Sequence, residues 1–194
     1  QRAAGDRETT RYADTCRYRG LAECALGELD EAEKLLRIAL AIDEEVWAPG
    51  DPHLAQAYED LSKAENALGL VAEEARYYRR AMAIWEATLP ADSLSLAKRR
   101  YHLAKLEQLA PSGERGAGDT AQRLLLLVIA TFAQAYGENS LEVAKAYEQL
   151  ADVEEDRQDY KAACAAERRV VAICEALGRP DDEMVADGCQ RLGY

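Results

Sequence analysis

The stretch Ala39-Leu40-Ala41-Ile42 returns as Ala81-Met82-Ala83-Ile84, 42 residues further along the chain. The pair Leu26-Gly27 returns as Leu68-Gly69 at the same distance. Self-similarity at a fixed period of roughly 20–50 residues is the signature of a repeat architecture. Each repeat in such a protein is one supersecondary unit that buries its apolar side only by stacking on its neighbours. The sequence therefore predicts an array of stacked units.

Each repeat consists of two predicted amphipathic helices joined by a tight turn. Gly27 is expected to end the first helix and Asp30 to cap the second, and the segment Pro49-Gly50-Asp51-Pro52 separates one repeat from the next. The chain is rich in Ala, Leu, Glu and Arg, and no stretch alternates as a strand would. Apolar residues of the second helix recur at helical spacing, at Ala32, Leu35, Leu36, Ala39, Leu40 and Ile42.

The spacing predicts four repeats and part of a fifth. The period lengthens to 47 residues in the third repeat, which places an insertion of five residues in segment 110–119, between its two helices. A terminal helix over 182–193 is expected to cap the array or, as we favour, to continue it in a larger parent protein. A single array over 1–194 is predicted, with repeats at 8–47, 53–88, 93–136 and 140–177. The helices are expected near 8–26, 31–47, 53–68, 72–88, 93–109, 119–136, 140–156 and 159–177.

Net charge argues against two classes of partner, and cysteine content indicates the cellular compartment. The formal net charge of −12 argues against a nucleic acid and against an anionic membrane surface, because both need clustered Lys and Arg. No apolar stretch approaches the length of a membrane span. The five cysteines include no Cys-x-x-Cys pair, so we expect free thiols in a reducing compartment, which favours a cytoplasmic location.

The repeats resemble the tetratricopeptide repeat (TPR). First helices carry a large residue, an apolar residue three positions later and a small residue directly after that. Examples are Tyr58-Glu59-Asp60-Leu61-Ser62 and Tyr147-Glu148-Gln149-Leu150-Ala151. The 42-residue period and the segment Asp51-Pro52-His53-Leu54-Ala55 resemble the variant found in kinesin light chains and many bacterial arrays. Glu74 and Arg100 depart from the pattern. The resemblance implies an all-α fold, a superhelical TPR solenoid of four helix-hairpin repeats plus a terminal helix.

In this family the first helices line a concave groove that holds an extended peptide or a helix of a partner. The resemblance therefore implies that ligand-binding residues lie on the exposed face of each first helix. The predicted positions are Gln56, Glu59, Lys63 and Asn66 in the second repeat, Lys98, Tyr101, Lys105 and Gln108 in the third, and Lys145, Glu148, Asp152 and Glu155 in the fourth.

Four of these positions are lysines, and they predict a local positive charge on this face of an otherwise acidic molecule. They are Lys63, Lys98, Lys105 and Lys145. We hypothesise that a peptide with acidic side chains or a free carboxylate docks there, with Tyr101 as a flat contact. The alternative is a solvated polar face that binds nothing in particular. A further alternative, that a second copy of the chain packs on the apolar segment 124–129, is left open, although burial of that helix on several sides explains its composition more simply.

No catalytic residue, metal site or cofactor is predicted. His53 and His102 have no Cys or His at metal-ligand spacing, and we interpret His53 as a turn or cap residue. The glycines of segment 110–119 have no strand before them and no Lys-Ser/Thr after them, so no phosphate loop is predicted. Two classes remain: a protein- or peptide-binding adaptor, and a regulatory or sensor segment of a larger bacterial signalling protein that acts through intramolecular or homo-oligomeric contacts.

Overall fold

The computed structural model describes residues 2–109 and 116–178, with side chains from residue 8 onward. The elements in these ranges are all helices, which confirms the all-α prediction there, and the terminal helix predicted over 182–193 lies outside the described residues. The helices are α1 (Arg2–Leu26), α2 (Leu29–Val46), α3 (Pro52–Ala67), α4 (Val71–Thr88), α5 (Leu94–Leu109), α6 (Ala117–Tyr136), α7 (Leu141–Asp156) and α8 (Tyr160–Ala176).

The chain divides into two units, and the described residues of each form two helical hairpins. Unit 1 is Gln1–Leu89, with hairpins α1–α2 and α3–α4. Unit 2 is Pro90–Tyr194, with hairpins α5–α6 and α7–α8 in its described part. Within each unit the second helix of one hairpin packs on the first helix of the next, α2 on α3 and α6 on α7. The single array over residues 1–194 stays a prediction.

In the three hairpins whose turn the structure describes in full, the turn places one residue in the left-handed backbone region. Gly27 has a φ of +85° and Gly69 a φ of +75°, as glycine allows at no steric cost. In the last hairpin Gln158, with a φ of +63°, stands at the corresponding position. The Asp30 cap prediction is wrong: α2 begins at Leu29, so Asp30 lies in its first turn, where a negative charge still suits the helix dipole.

The predicted loop 110–119 ends earlier than expected. Gly116, with a φ of +92°, precedes α6, and residues 117–119 belong to the helix. Asp119 Oδ1 lies 2.8 Å from Arg157 Nη2, at the turn between α7 and α8. This ion pair holds the first turn of α6 against the neighbouring hairpin.

Each first helix carries a buried small residue at the same repeat position. In the first hairpin the two helices approach so closely that a Cβ added to Gly20 would lie 2.8 Å from Leu36 Cγ and 3.2 Å from the Ala32 carbonyl oxygen. Small residues at such contacts let larger neighbours interlock at crystal-like density. The four residues are Gly20, Ser62, Ala104 and Ala151.

The core of unit 1 is shared by the two hairpins. Leu36 and Leu40 of α2 belong to one buried cluster with residues of α3 and α4, and Trp47 and Trp85 pack on it part-buried. The face of a hairpin that would meet water in isolation is therefore covered by the next hairpin. The α3 and α4 members of the cluster are Leu54, Ala55, Ala57, Tyr58, Leu61, Ala64, Tyr77, Ala81 and Ile84.

The two departures from the repeat pattern are buried and hydrogen-bonded. Asn66 Nδ2 donates a hydrogen bond of 2.7 Å to Glu74 Oε2, and Arg100 Nη1 donates one of 2.8 Å to the Ala91 carbonyl oxygen. Because a buried polar group costs most when it has no partner, these bonds remove much of the penalty. The repeat thus tolerates a carboxylate and a guanidinium at positions where its pattern predicts other residues.

Glu65 is a buried carboxylate with incomplete pairing. Its side chain has 0% exposure, Oε1 lies 3.1 Å from Arg37 Nη2, and Oε2 has no hydrogen-bond partner among the described residues. Burial raises the pKa of Glu65, nearby Glu33 and Glu73 add to the shift, and Arg37 opposes it. The folded protein therefore binds the proton of Glu65 more tightly than the unfolded chain does.

We predict that Ala104→Leu lowers the free energy of unfolding by about 1–3 kcal/mol, because Ala104 is 0% exposed and a larger side chain would overpack its surroundings. Chemical denaturation measures the loss. The control is Ala165→Leu at an exposed position of α8, where a change within about 0.5 kcal/mol is expected. Equal effects of the two substitutions would mean that the helix faces are assigned wrongly.

We predict that Glu65→Gln gains stability relative to the parent as pH rises. The pKa of Glu65 is higher in the folded protein than its ordinary value of 4.5. Ionisation of Glu65 therefore costs the parent no stability below pH 4.5, and the loss of stability grows with pH until the pH exceeds the pKa in the folded protein. The neutral variant lacks this cost. Denaturation at several pH values measures the difference, with Glu45→Gln at an exposed site as control. The prediction is contradicted if the difference in free energy of unfolding between Glu65→Gln and the parent stays constant or falls from pH 4 upward.

Candidate functional site

The predicted ligand-binding positions all lie on the first helices α3, α5 and α7, and none of them is buried. The neighbouring core positions Leu54, Tyr58 and Leu61 are buried, as expected for the opposite face of α3. The predicted residues fall in both units. Those of α3 belong to unit 1 and those of α5 and α7 to unit 2.

In unit 1 the predicted side chains are engaged with one another and with the core. Lys63 Nζ lies 3.2 Å from Glu59 Oε1 and 3.3 Å from Asp60 Oδ1, and Gln56 Nε2 donates a hydrogen bond of 2.9 Å to the same oxygen of Asp60. The fourth predicted residue, Asn66, donates its amide to buried Glu74. Two carboxylates therefore balance the charge of Lys63, and α3 does not contribute the positive charge that the sequence predicted.

In unit 2 Tyr101 joins three helices. Its ring centroid lies 6.4 Å from that of Phe132 on α6, and its hydroxyl oxygen lies 3.5 Å from the Lys145 carbonyl oxygen on α7. Burial raises the pKa of Tyr101, and the charges of Glu148 and Asp152 add to the shift. The ring is thus fixed between α5, α6 and α7, and the charges of two carboxylates of α7 act on its hydroxyl.

Three exposed lysines lie on α5 and α7, the two first helices that Tyr101 connects. Lys98 and Lys105 are seven residues apart on α5, and Lys145 begins the corresponding stretch of α7. Gln108, at the far end of the α5 stretch, donates a hydrogen bond of 3.0 Å to Asp156 Oδ2 and accepts one from Gln149. Gln108 therefore links α5 to α7, and the lysines remain the exposed charged groups of the α5 face.

A polar cavity in unit 1, with a volume of 340 Å³, was not predicted from the sequence. It lies between α1, the end of α2 and the start of α3. Two of its residues, Asp14 and Arg17, stand 42 residues before Gln56 and Glu59, so they are the first repeat's counterparts of predicted positions. The same shift applied to the first repeat would have found them. The cavity is lined by Thr10, Asp14, Arg17, Tyr18, Asp43, Trp47 and His53.

One wall of the cavity is a stacked aromatic pair. The rings of Trp47 and His53 are 4.2 Å apart between centroids and 6° from parallel. Asp51 caps α3: its Oδ1 accepts a hydrogen bond of 2.9 Å from the His53 backbone N–H and lies 2.8 Å from His53 Nδ1. These bonds lower the pKa of Asp51, the backbone bond most. The cap residue is therefore Asp51, and His53 supplies a ring fixed by the turn.

The charges of the cavity are unequal. The Arg17 guanidinium lies 3.2 Å from Asp14 Oδ1 and 4.0 Å from Asp60 Oδ2, and 5.1 Å from the centroid of the Tyr18 ring. Asp43 is only 9% exposed. Burial raises the pKa of Asp43, while the charge of Arg17 and a hydrogen bond from Trp47 oppose the shift. The Arg17 guanidinium thus pairs with two carboxylates, Asp14 and Asp60, and its charge also acts on Asp43.

The apolar segment 124–129 is only partly covered. Leu124, Leu125, Val128 and Ile129 are buried, as the simpler explanation of its composition requires, whereas Leu126 is 52% and Leu127 45% exposed. Two adjacent leucines on the solvent side of α6 are a small apolar patch. Packing of a second copy of the chain on this patch stays a prediction.

The described residues contain neither a metal site nor a membrane-spanning helix. In residues 2–109 and 116–178 no group of three or more His, Cys, Asp or Glu is placed to hold a metal ion. None of the eight helices combines the length and hydropathy that crossing a bilayer requires. The four cysteines in those ranges are free thiols; Cys189 lies outside them.

Comparison with known proteins identifies the repeat. Residues 13–87 match the tetratricopeptide repeat family. No curated protein is significantly similar to the chain. The fold is similar to the nearly identical TPR-like repeats assigned to a kinesin light chain of Podosopora anserina, with a TM-score of 0.73, 21% identity, and coverage of 95% of this chain and 88% of that one.

Two further solved structures share the fold. BtubC (BKLC) from P. vanneervenii gives a TM-score of 0.65 at 20% identity, with 97% of this chain and 83% of that chain covered. The MamA protein gives 0.61 at 18% identity, with 96% and 84% covered. These similarities confirm the TPR-solenoid architecture. Residues 13–87 are therefore tetratricopeptide repeats by sequence, and the rest of the described chain has the tetratricopeptide-repeat fold.

Proposed function

We propose that this chain is a non-catalytic scaffold that binds a peptide segment of a protein partner on the α5–α7 face of unit 2. The tetratricopeptide fold supports protein–protein interaction in general. The ligand is a segment with acidic side chains or a free carboxylate. Its contacts are Lys98, Lys105 and Lys145, with Tyr101 between the two helices.

The observation that carries the proposal is the pair of exposed lysines on one face of α5. Lys98 and Lys105 are two helical turns apart, which separates their Cα atoms by about 10 Å. Acidic side chains at alternate positions of an extended peptide, about 7 Å apart, match this separation within the reach of the lysine stems. Charge-assisted hydrogen bonds from ammonium to carboxylate then fix the register of the peptide.

The rest of the face sets the orientation of the ligand. Glu148 and Asp152 of α7 act electrostatically on Tyr101, and their negative charge would repel an acidic segment there. The acidic residues of the peptide therefore contact the α5 lysines and Lys145, and the peptide residues next to the later turns of α7 are neutral or basic. Attraction at one end and repulsion at the other together give specificity.

A charge-reversal variant tests the proposal. The probe is a fluorescein-labelled octapeptide of alternating Glu and Ala, with the corresponding Lys–Ala peptide for comparison. We expect Lys98→Glu with Lys105→Glu to weaken binding of the Glu–Ala peptide about tenfold, because each exposed pair contributes up to about 1 kcal/mol and reversal adds repulsion. Fluorescence anisotropy measures the affinity.

The matched control is Lys161→Glu with Arg168→Glu. These residues are also exposed and seven apart, but they lie on the second helix α8 of the same unit, so the change in net charge and the spacing are the same. The control should retain most of the affinity at about 0.15 M salt, where exposed charges beyond about 8 Å are screened. Equal losses in both variants, or no loss in the α5 variant, contradict the proposed face.

A further inference from the structure

Asp43 stands where the other repeats of this chain carry apolar or weakly polar side chains. The repeat spacings of 42, 47 and 42 residues map Asp43 onto Trp85, Phe132 and Cys174. Phe132 and Cys174 are buried and Trp85 is part-buried, so the position faces the interior in every hairpin. A carboxylate with 9% exposure costs free energy there that an apolar residue would not. A local departure from the repeat's own rule is expected where a site has been built.

The cavity beside Asp43 carries more negative than positive charge. Arg17 is its guanidinium, and that group is shared with Asp14 on the rim and with Asp60. Asp60 also forms an ion pair with Lys63 Nζ and accepts a hydrogen bond from Gln56 Nε2, so groups outside the cavity already pair with its carboxylate. Asp14 and Asp43 therefore face the cavity with only part of one positive charge between them. An incoming anion would meet both carboxylates, whereas a cation would relieve their mutual repulsion.

The shape of the cavity fits a flat or slender cation. The stacked rings of Trp47 and His53 form one wall, and a volume of 340 Å³ is at the lower end of the range for ligand pockets, of the order of 300–1,000 Å³. Cations are attracted to the face of an indole or phenol ring, and a guanidinium pairs with carboxylates through parallel hydrogen bonds. Tyr18, whose ring already lies under Arg17, shows this geometry at the rim.

We propose that this cavity binds one organic cation, a guanidinium or a primary ammonium group, between Asp43 and Asp14 and against the Trp47–His53 wall. The cation is either a basic side chain of a protein segment or a free small amine. Both sources share the charged group, and they differ in whether a peptide backbone is attached to it. This site is in unit 1, and it is independent of the acidic-peptide face proposed for unit 2.

The test uses the full chain and small probes. Nα-acetyl-arginine methylamide is titrated while the indole N–H signals of Trp47 and Trp85 are followed by NMR. We expect a saturable shift of the Trp47 signal and little change at Trp85. The citrulline analogue, which has the same shape without the charge, should bind about tenfold more weakly or worse. The glutamate analogue should not bind.

Variants locate the contact. Asp43→Asn keeps the shape of the side chain and should weaken binding of the arginine derivative about tenfold or more. Glu45→Gln, an exposed residue two positions away on α2, makes the same change in net charge and should leave binding unchanged. Circular dichroism confirms that each variant is folded. If Asp43→Asn is unfolded, Asp14→Asn on the exposed rim tests the same contact and should also weaken binding.

A comparison of agmatine with an acetylated Gly-Gly-Arg-Gly-Gly amide identifies the source of the cation. Tighter binding of the peptide supports a basic side chain of a partner, and tighter binding of agmatine supports a small amine. The proposal is overturned if the citrulline analogue binds as tightly as the arginine derivative, if the glutamate analogue binds better, or if no probe gives a saturable shift at Trp47.

Discussion

A buried small residue at one repeat position of each first helix is the constraint on which the structure depends. Gly20, Ser62, Ala104 and Ala151 occupy this position, and all are buried. A larger side chain there would separate the two helices of a hairpin and misplace the face that the next hairpin covers. In unit 1 that face includes Leu36, which lies both against Gly20 and in the cluster shared with α3. One contact thus fixes the hairpin and its neighbour.

This geometry also determines where function can be added. Because the small residue and the core positions face inward, the same remaining repeat positions are exposed on every first helix. In unit 2 the face presents lysines around a fixed tyrosine, and in unit 1 its first-repeat members, Asp14 and Arg17, line a polar cavity. Ordinary substitutions on one face of a regular scaffold are enough to give two surfaces of different charge, and these are the two surfaces for which we propose ligands.

Much of the fold could be predicted because it is periodic. The spacing of 42 residues and the turn glycines place the eight helices within about two residues of most of their observed ends, a difference within the usual scatter of helix boundaries. The exposed face of the first helices also follows from the helical period. The Asp30 cap was wrong because the left-handed turn at Gly27 starts α2 two residues earlier than the cap pattern implies.

The candidate sites were less predictable because they depend on pairing between helices. The sequence does not show that Asn66 turns to Glu74, or that Lys63 lies between two carboxylates. The cavity was missed because three helices supply its lining. One signal was present: Asp43 differs in kind from Trp85, Phe132 and Cys174 at the corresponding positions. A polar residue at a repeat position that is elsewhere apolar marks a place where packing alone does not explain the sequence.

The central claim is that neighbouring hairpins stabilise each other, and native-state hydrogen exchange tests it most directly. Leu61 is fully buried in α3, so Leu61→Ala is expected to cost about 2–5 kcal/mol. If α1–α2 depends on α3, exchange of the slowest amides in α2 should accelerate by about 30-fold or more, in step with those of α3. Unchanged exchange in α2 alongside faster exchange in α3 would show that the hairpins fold independently and would contradict the account.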